Sequence, residues 1–151
     1  MNGAATRQRI IVGVDGSDAS IGALQQAERM AAVYGADIEA VACWEYSNLY
    51  DVYAAMGIER PREEAGRILS ETVKKAFQAG KPDNVLAELI EGDARSVLLQ
   101  RSKGAALLVL GSRGHGGFRG LLVGSVTAAC VAHAHCPVLV VHVNDEGLAR
   151  P

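Results

Sequence analysis

The strongest constraint on the fold is a regular alternation between short apolar runs and longer amphipathic segments. The apolar runs have the length typical of strands and occupy residues 9–15, 37–46, 84–92, 105–111 and 137–143. The segments with helical spacing occupy residues 17–35, 63–79, 93–104 and 125–135. Strands that alternate with helices form parallel sheets through right-handed crossovers. We therefore predict a single-domain, Rossmann-like α/β fold with an open five-stranded parallel sheet and helices on both faces.

The residues at the segment ends support these bounds. Ser17 and Asp93 stand directly before helical segments, where a side-chain oxygen can accept a hydrogen bond from the first turn. Gly35 follows the first helical segment, as glycine often does at a helix C-terminus. Residues 47–62 show no clear period and carry Pro61 near their end. We predict a loop there, with room for a short helical turn.

The length, charge and composition narrow the class of protein. At 151 residues the chain fits one domain, which we place at 9–144, between a flexible N-terminus (1–8) and a flexible C-terminus (145–151). The net charge of -2 and the aromatic content of 5% favour neither nucleic acid nor an anionic membrane as a partner. We find no leader peptide and no apolar stretch long enough to cross a bilayer. We therefore expect a cytoplasmic protein.

Three of the predicted strands end in residues that can serve a ligand. Asp15 ends the first strand, Cys43 lies near the end of the second, and Gly111 ends the fourth. In open parallel sheets, ligands bind outside the carboxyl ends of the strands, where the strand order reverses. We therefore expect these residues to meet at one edge of the sheet.

The stretch GSRGHGGFRGLLVGSVT, residues 111–127, holds six of the 17 glycines. It joins a strand to a helix, and the first N–H groups of a helix bind phosphate together with the positive end of the helix dipole. Glycine lets the main chain approach an anion without a Cβ in between. Ser125 and Thr127 can add hydroxyl donors, and Arg113 and Arg119 can add positive charge. The stretch therefore predicts a phosphate site.

The two commonest phosphate loops are excluded by their motifs. A P-loop requires GxxxxGK[ST], and residues 104–151 contain no lysine. A dinucleotide fold requires GxGxxG after the first strand, where this chain has GVDGSD. The predicted phosphate site is therefore of another type.

The spacing Gly111-x2-Gly114-x9-Gly124-Ser125 resembles the nucleotide-binding signature of the universal stress protein family. IIVGVDGSDAS resembles the first strand and turn of that family, EGDARSVLL its third-strand exit, and CPVLVV its closing strand. The resemblance implies an adenine nucleotide α-hydrolase-like fold, with ATP or another adenine nucleotide as the ligand and Mg²⁺ accompanying it. It also implies a homodimer through strand 137–143 and a regulatory role in stress response, exerted on an unidentified protein partner.

The resemblance also assigns roles to individual residues. The main chain at Cys43 is expected to hold the adenine edge, above a floor formed by Gly13 and Val14. Asp15 is expected near the ribose and phosphates, or near a Mg²⁺ ion bound to them. The candidate nucleotide-binding residues are Gly13, Val14, Asp15, Cys43, Gly111, Ser112, Arg113, Gly114, His115, Gly116, Gly117, Gly124, Ser125, Val126 and Thr127.

Several of these residues also have a purely structural interpretation. Asp15 can cap the first helix or its turn, and Ser125 can cap the last helix. Arg113 and Arg119 can be solvated loop charges. The sequence leaves these alternatives open.

The sequence favours nucleotide binding over catalysis. Phosphoryl transfer needs a group that orients the nucleophile, and no Glu, Gln or His is obviously placed to do so. His115 is the nearest candidate, and it is equally a loop residue. We therefore expect little or no ATP turnover, and at most slow hydrolysis. Two alternatives remain. One is a cyclic AMP-binding protein that uses the same pocket, because the loop would accept one phosphate as well as three. The other is a ligand-free structural or interaction dimer.

Overall fold

A computed structural model describes residues 6–113 and 123–143 of the chain. The strands in these ranges are β1 Arg9–Gly13, β2 Asp37–Trp44, β3 Val85–Glu91, β4 Leu107–Gly111 and β5 Val138–Val141. The helices are α1 Asp18–Tyr34, α2 Tyr50–Ala55, α3 Pro61–Ala76, α4 Ala94–Arg101 and α5 Ser125–His133. One helix separates each pair of consecutive strands, except that both α2 and α3 lie between β2 and β3.

The strands form one parallel sheet in the order β3-β2-β1-β4-β5. The chain therefore moves outward from β1 to β3 in one direction, and then returns to β4 on the other side of β1. Ile10 of β1 lies in register with Ile38 of β2 and with Leu107 of β4. This is a doubly wound order, and its switch point lies between the carboxyl ends of β1 and β4. The predicted fold class is confirmed.

Helices cover both faces of the sheet. On one face α1 and α3 pack against a large buried cluster that includes Ile10, Leu24 and Ile38. On the other face α4 and α5 pack against a smaller cluster that includes Ile11 and Leu108. The central strands are apolar on both faces for this reason, as parallel strands under helices are.

The residues predicted to stand at helix ends, Ser17, Gly35 and Asp93, are confirmed in that role. The hydroxyl oxygen of Ser17 accepts a hydrogen bond from the Ser20 N–H at 3.1 Å, and α1 ends at Gly35 in the left-handed conformation. The carboxylate of Asp93 accepts hydrogen bonds from the N–H and the hydroxyl of Ser96, both at 3.0 Å, and these bonds lower the pKa of Asp93. Both side chains satisfy N–H groups that the first helical turn leaves open.

The segment 47–62 contains more helix than the loop that its sequence suggested. Residues Tyr50–Ala55 form α2, and α3 begins at Pro61 rather than at Glu63. Proline is well suited to the first position of a helix, because the N–H that it lacks would have no helical partner there. The sequence of α2 shows no helical period, because none of its residues is buried.

Close packing between α1 and β4 explains the glycine at the end of β4. A Cβ added at Gly111 would collide with the Cβ of Ala19, and it would lie 2.9 Å from the backbone carbonyl carbon of Ala19. The backbones of α1 and β4 therefore approach each other directly, which brings the start of α1 to the switch point.

We expect Gly111→Ala to destabilise the fold by about 1–3 kcal/mol, because the added methyl group overpacks a backbone contact that cannot yield. Gly66→Ala is the matched control: Gly66 lies within α3, where a Cβ would meet the Leu89 Cδ2 atom at an ordinary 3.5 Å. Helix propensity alone predicts that Gly66→Ala is stabilising by up to about 1 kcal/mol. Urea unfolding of both variants measures the difference, and equal stability of Gly111→Ala and the parent would contradict the packing argument.

Candidate functional site

A cavity of about 200 Å³ lies at the switch point of the sheet. It is bordered by the carboxyl ends of β1, β2 and β4 and by the starts of α1, α4 and α5. The lining residues are Gly13, Val14, Asp15, Ser17, Ser20, Val41, Cys43, Ala94, Leu98, Leu110, Gly111, Arg113, Gly124, Ser125, Val126 and Thr127. A cavity therefore lies at the predicted edge of the sheet.

The backbone of Cys43 faces this cavity because of the direction of its hydrogen-bonding groups. Along a parallel strand, successive residues direct their N–H and C=O groups to alternate neighbours. The Val41 carbonyl accepts from the Val14 N–H of the β1 side at 2.8 Å, whereas the Trp44 carbonyl accepts from the Gly92 N–H of the β3 side at 2.8 Å. Cys43 therefore directs its N–H and C=O toward the β1 side. In the described ranges, the β1–β2 ladder ends at Val14, so a donor and an acceptor stand together at the cavity.

The floor of the cavity depends on the glycine at the end of β1. A Cβ added at Gly13 would lie 2.7 Å from the Leu110 Cδ2 atom and 3.2 Å from the Leu98 Cδ1 atom. The two leucines therefore fill the space beside Gly13, and together they give the cavity an apolar floor. Gly13 was predicted as part of this floor, and the structure supplies the reason for a glycine there.

The start of α5 faces the cavity and has no side-chain cap among the described residues. Gly124 is the N-cap, and its own N–H donates to the Ser112 carbonyl at 2.6 Å. The next N–H groups, those of Ser125, Val126 and Thr127, have no acceptor within the helix because of helix geometry. Three main-chain donors and the positive end of the helix dipole therefore meet at the cavity, which favours an anion there.

The structure excludes one alternative for Ser125 and gives the hydroxyl of Thr127 a different partner. Ser125 is the first helical residue and not the N-cap, so the capping alternative for Ser125 is wrong. The hydroxyl of Thr127, expected as a phosphate donor, donates instead to the Gly111 carbonyl at 2.7 Å. This bond ties the end of β4 to the first turn of α5 and leaves the main-chain N–H of Thr127 as its donor toward the cavity.

Asp15 has a structural contact and also lines the cavity. Its Oδ1 atom accepts hydrogen bonds from the N–H of Ser17 at 3.0 Å and from the hydroxyl of Ser17 at 2.5 Å. Ser17 in turn caps α1, and Gly16 between the two has a positive φ of 85°. The turn role considered for Asp15 is therefore real, and it places a carboxylate at the cavity.

Most of the sequence-predicted site residues meet at this one cavity. The predicted residues in its wall are Gly13, Val14, Asp15, Cys43, Gly111, Arg113, Gly124, Ser125, Val126 and Thr127. Ser112 is buried behind the wall, where its backbone bonds to Val141 and Gly124. Gly114, His115, Gly116, Gly117 and Arg119 lie outside the described residues.

Six residues of the cavity wall were missed by sequence reasoning: Ser17, Ser20, Val41, Ala94, Leu98 and Leu110. Two regular patterns could have found some of them. Val41 and Cys43 are two residues apart on β2 and share a face of the sheet. Ala94 and Leu98 are four residues apart on α4 and share a helical face. Leu110 shows no such signal, because it is one of several equivalent apolar residues in β4.

The thiol of Cys43 is held in its neutral form. Burial, followed by the nearby carboxylates of Asp93 and Glu45, raises its pKa from 9.0 to about 11, although the Arg101 guanidinium opposes this shift. Arg101 is itself anchored to the carboxylates of Glu88 at 2.9 Å and Glu39 at 3.4 Å. The thiol of Cys43 therefore adds no charge to the wall of the cavity at neutral pH.

We expect alkylation of Cys43 by iodoacetamide to be slow near neutral pH and to rise through about pH 10 without levelling, because only the thiolate reacts. Asp93→Asn keeps a capping oxygen but removes a charge that raises the pKa, so it should accelerate alkylation at a fixed pH near 9. Arg101→Gln should slow it. Mass spectrometry of the Cys43 peptide measures each rate, and a plateau at or below pH 9 would contradict the raised pKa.

The described part of the chain offers neither a preformed metal cluster nor a membrane span. No group of three or more His, Cys, Asp or Glu side chains in these ranges is arranged to hold a metal ion. None of the described helices is long and apolar enough to cross a membrane.

The strand order and the cavity place the chain in a class: doubly wound α/β proteins with a ligand cavity at the switch point. Comparison with known proteins narrows that class. The model of the universal stress protein family matches residues 6–142, so the chain belongs to this family.

Curated relatives agree with this assignment. Universal stress protein Rv2623 of Mycobacterium tuberculosis is 32% identical over 148 residues, which cover 94% of this chain and 50% of that protein. The chain thus spans half the length of this relative. Universal stress protein MJ0531 of Methanocaldococcus jannaschii is 30% identical over 152 residues, which cover 93% of this chain and 85% of that protein.

Solved structures share the fold. Universal stress protein UspA from Lactobacillus plantarum superposes with a TM-score of 0.71 at 24% identity, over 91% of this chain and 99% of that one. A universal stress protein in complex with cAMP has a TM-score of 0.65 at 28% identity, with the same two coverages. Two more distant structures, at 18% and 22% identity, are a protein from Archaeoglobus fulgidus in complex with dAMP and one from Arabidopsis thaliana with AMP bound.

Proposed function

We propose that this chain binds an adenine nucleotide, with ATP as the principal ligand, in the cavity at the switch point. In this proposal it acts as a regulatory protein of the stress response with little or no ATP turnover. The observation that carries the proposal is that one cavity is bordered both by the main-chain donor and acceptor of Cys43 and by the uncapped start of α5. Structures of the same fold with cAMP, dAMP and AMP support the adenine nucleotide as the class of ligand.

The Cys43 backbone supports adenine as the base. Its N–H is a donor and its C=O is an acceptor, and both are directed to the cavity side of β2. The edge of adenine offers the complementary pair, a ring-nitrogen acceptor beside an amino donor, whereas guanine carries an oxygen acceptor at the position of the amino group. Recognition through the main chain leaves the Cys43 side chain free to pack.

The start of α5 supports the phosphate end of the ligand. The N–H groups of Ser125, Val126 and Thr127 can donate to phosphate oxygens, and the helix dipole adds about 0.3–1 kcal/mol for a nearby negative charge. Arg113 is exposed at the wall of the same cavity and adds a positive charge.

Asp15 supports a divalent cation bound together with the phosphates. Mg²⁺ is commonly held by one or two carboxylates together with nucleotide phosphates and water, so a single carboxylate fits that donor set. When bound, Mg²⁺ would neutralise part of the phosphate charge beside the Asp15 carboxylate. Without a cation, this carboxylate would repel the phosphates.

The cavity wall favours binding over hydrolysis. Among its described residues, Asp15 is the only carboxylate and there is no histidine, while Oδ1 of Asp15 is engaged by the turn at Ser17. The described wall thus offers little to orient an attacking water, as phosphoryl transfer requires.

We also propose that the chain forms a homodimer through strand 137–143 and signals to a protein partner. In support, β5 is an edge strand of the sheet, and a second copy would satisfy its outer backbone groups.

Cyclic AMP remains a second candidate ligand. A structure that is 28% identical to this chain was determined in complex with cAMP. A single phosphate satisfies the start of α5 as well as the last phosphate of ATP does, so the geometry of α5 does not separate the two ligands.

We expect Gly124→Val to weaken ATP binding by more than about tenfold, or 1.4 kcal/mol, because a branched side chain at the N-cap of α5 would crowd the N–H groups proposed to bind phosphate. The backbone there has φ -70° and ψ 164°, which valine adopts without strain, so the fold should persist. Gly124→Ala should show a smaller loss, and Gly66→Ala, outside the cavity, none.

Calorimetric titration with ATP and Mg²⁺, and in parallel with cAMP, tests this proposal on protein stripped of bound nucleotide. Preference for ATP that Gly124→Val abolishes supports it. Preference for cAMP would establish the second candidate instead. Binding of neither ligand would leave the ligand-free interaction dimer as the function.

We expect Asp15→Asn to separate the turn role of Asp15 from its role toward the cation. Asparagine keeps the oxygen that accepts from Ser17 but loses the charge, so the free energy of unfolding should change little. ATP affinity should fall by about tenfold when Mg²⁺ is present and stay level or rise when Mg²⁺ is chelated. Equal affinity for ATP and Mg²⁺ in the variant and the parent would reduce Asp15 to a turn residue.

A further inference from the structure

An exposed apolar surface lies on the segment that contains α2, and none of its residues lines the cavity. Nine large hydrophobic side chains are exposed among the described residues, and five of them fall within thirteen consecutive positions. These five are Tyr46, Leu49, Val52, Met56 and Ile58, with exposed fractions of 64%, 51%, 48%, 67% and 48%. Single exposed apolar residues are ordinary, but such a concentration marks an interaction surface.

Three of these residues share one face of the helix. Leu49, Val52 and Met56 are spaced by three and four residues, which places them in a row along α2, with Leu49 at its N-cap and Met56 at its C-cap. We call these three residues the α2 stripe. None of the residues of α2 is buried, and within the described ranges α2 makes at most marginal contact with another helix or strand. Among the described residues, the α2 stripe is therefore not packed against another helix or strand to more than a marginal extent.

Local contacts hold α2 in place without covering its stripe. The rings of Tyr46 and Tyr50 stack with centroids 5.8 Å apart, and the Arg60 guanidinium lies 4.7 Å from the Tyr50 centroid. The helix ends at Ala55, and Gly57 then turns the chain with a φ of 72°, so that the Ile58 N–H donates back to the Tyr53 carbonyl at 2.8 Å. An isolated helix of six residues is not stable in water, so these contacts are what order it. The stripe is thus presented in a defined conformation.

The segment of the chain that carries the stripe is acidic. The charged residues of segment 45–64 are Glu45, Asp51, Glu59, Arg60, Arg62, Glu63 and Glu64, all of them exposed. Their formal charge is −3, whereas the whole chain carries -2. Extending the segment to Glu71 leaves the charge at −3, because Arg67 and Glu71 cancel. Asp51 is the carboxylate within α2 itself.

We propose that the α2 stripe docks an amphipathic helix of a partner protein, with basic residues beside its apolar face. An apolar row on one helix is complementary to an apolar row on another, and a basic flank is complementary to the acidic segment. Met56 favours such an occupant, because its flexible side chain adapts to a partner surface. A second copy of this chain would bring two acidic segments together, each with a formal charge of −3, and they would repel each other. Anionic lipid or nucleic acid would be repelled in the same way. This inference does not depend on nucleotide binding.

The test uses the full chain and a labelled synthetic peptide of about four helical turns, with leucine on one face and lysine elsewhere. Two comparison peptides are a scrambled sequence of the same composition and an amphipathic leucine–glutamate peptide. We expect the leucine–lysine peptide to bind in fluorescence anisotropy, and both comparison peptides to bind at least about tenfold more weakly.

Variants locate the binding on the surface. Leu49→Ser combined with Met56→Ser should weaken binding of the leucine–lysine peptide by at least about tenfold, since it removes the ends of the stripe. The control is Val33→Ser, which replaces an apolar side chain that is 76% exposed near the end of α1, outside the stripe. This change should leave peptide binding unchanged. Asp51→Asn should weaken binding a few-fold at low salt, and less at high salt. Because the replaced side chains are exposed, equal unfolding midpoints are expected in all variants.

Several results would overturn the proposal. The leucine–lysine peptide could fail to bind, could bind the double variant as well as the parent, or could bind no better than the leucine–glutamate peptide. Sedimentation that shows a dimer of the parent and a monomer of the Leu49→Ser, Met56→Ser variant would identify a second copy as the occupant. Binding of anionic vesicles that is lost in the double variant would identify a membrane surface instead.

Discussion

The structure depends on the way in which β1 is shared between two halves of the sheet. β1 pairs with β2 on one side and β4 on the other, and the chain leaves its end through the turn at Asp15 and Gly16. The neighbouring strand β2 continues past this point to Trp44, so its last backbone groups on the β1 side have no strand beside them. Unpaired backbone groups need a partner. The cavity lies where a ligand can supply one.

Backbone contacts rather than long side chains fix the shape of this cavity. The backbones of α1 and β4 meet directly at Gly111 and Ala19, and the Thr127 hydroxyl joins the Gly111 carbonyl to α5. The Gly124 N–H joins the same region to the Ser112 carbonyl. Each contact involves main-chain atoms that have few alternative positions. The starts of α1 and α5 are therefore held against the ends of β1 and β4, and a rigid edge of this kind suits recognition of a small ligand.

The sequence predicted the central elements better than the peripheral ones, for a physical reason. Elements that contribute to the core leave a strong signal in the sequence. β1 is a continuous apolar run because helices cover both of its faces, and the buried positions of α1 repeat at the helical spacing. The segment 47–62 carried no such signal, since α2 buries none of its residues. Its order comes from the contact between Arg60 and Tyr50 and from the turn at Gly57, and neither is visible as a period.

By itself, the sequence determined the fold class, the edge of the sheet at which the cavity lies, and most of the residues that line it, because these follow from periodicity and from the strand ends. Only the tertiary structure decided how those residues act. It engaged the Thr127 hydroxyl with Gly111, made Gly124 the N-cap, and turned the backbone of Cys43 toward the cavity. These outcomes depend on which strands are neighbours and where each pairing ends. Such relations join residues that are distant in the chain, and no local pattern records them.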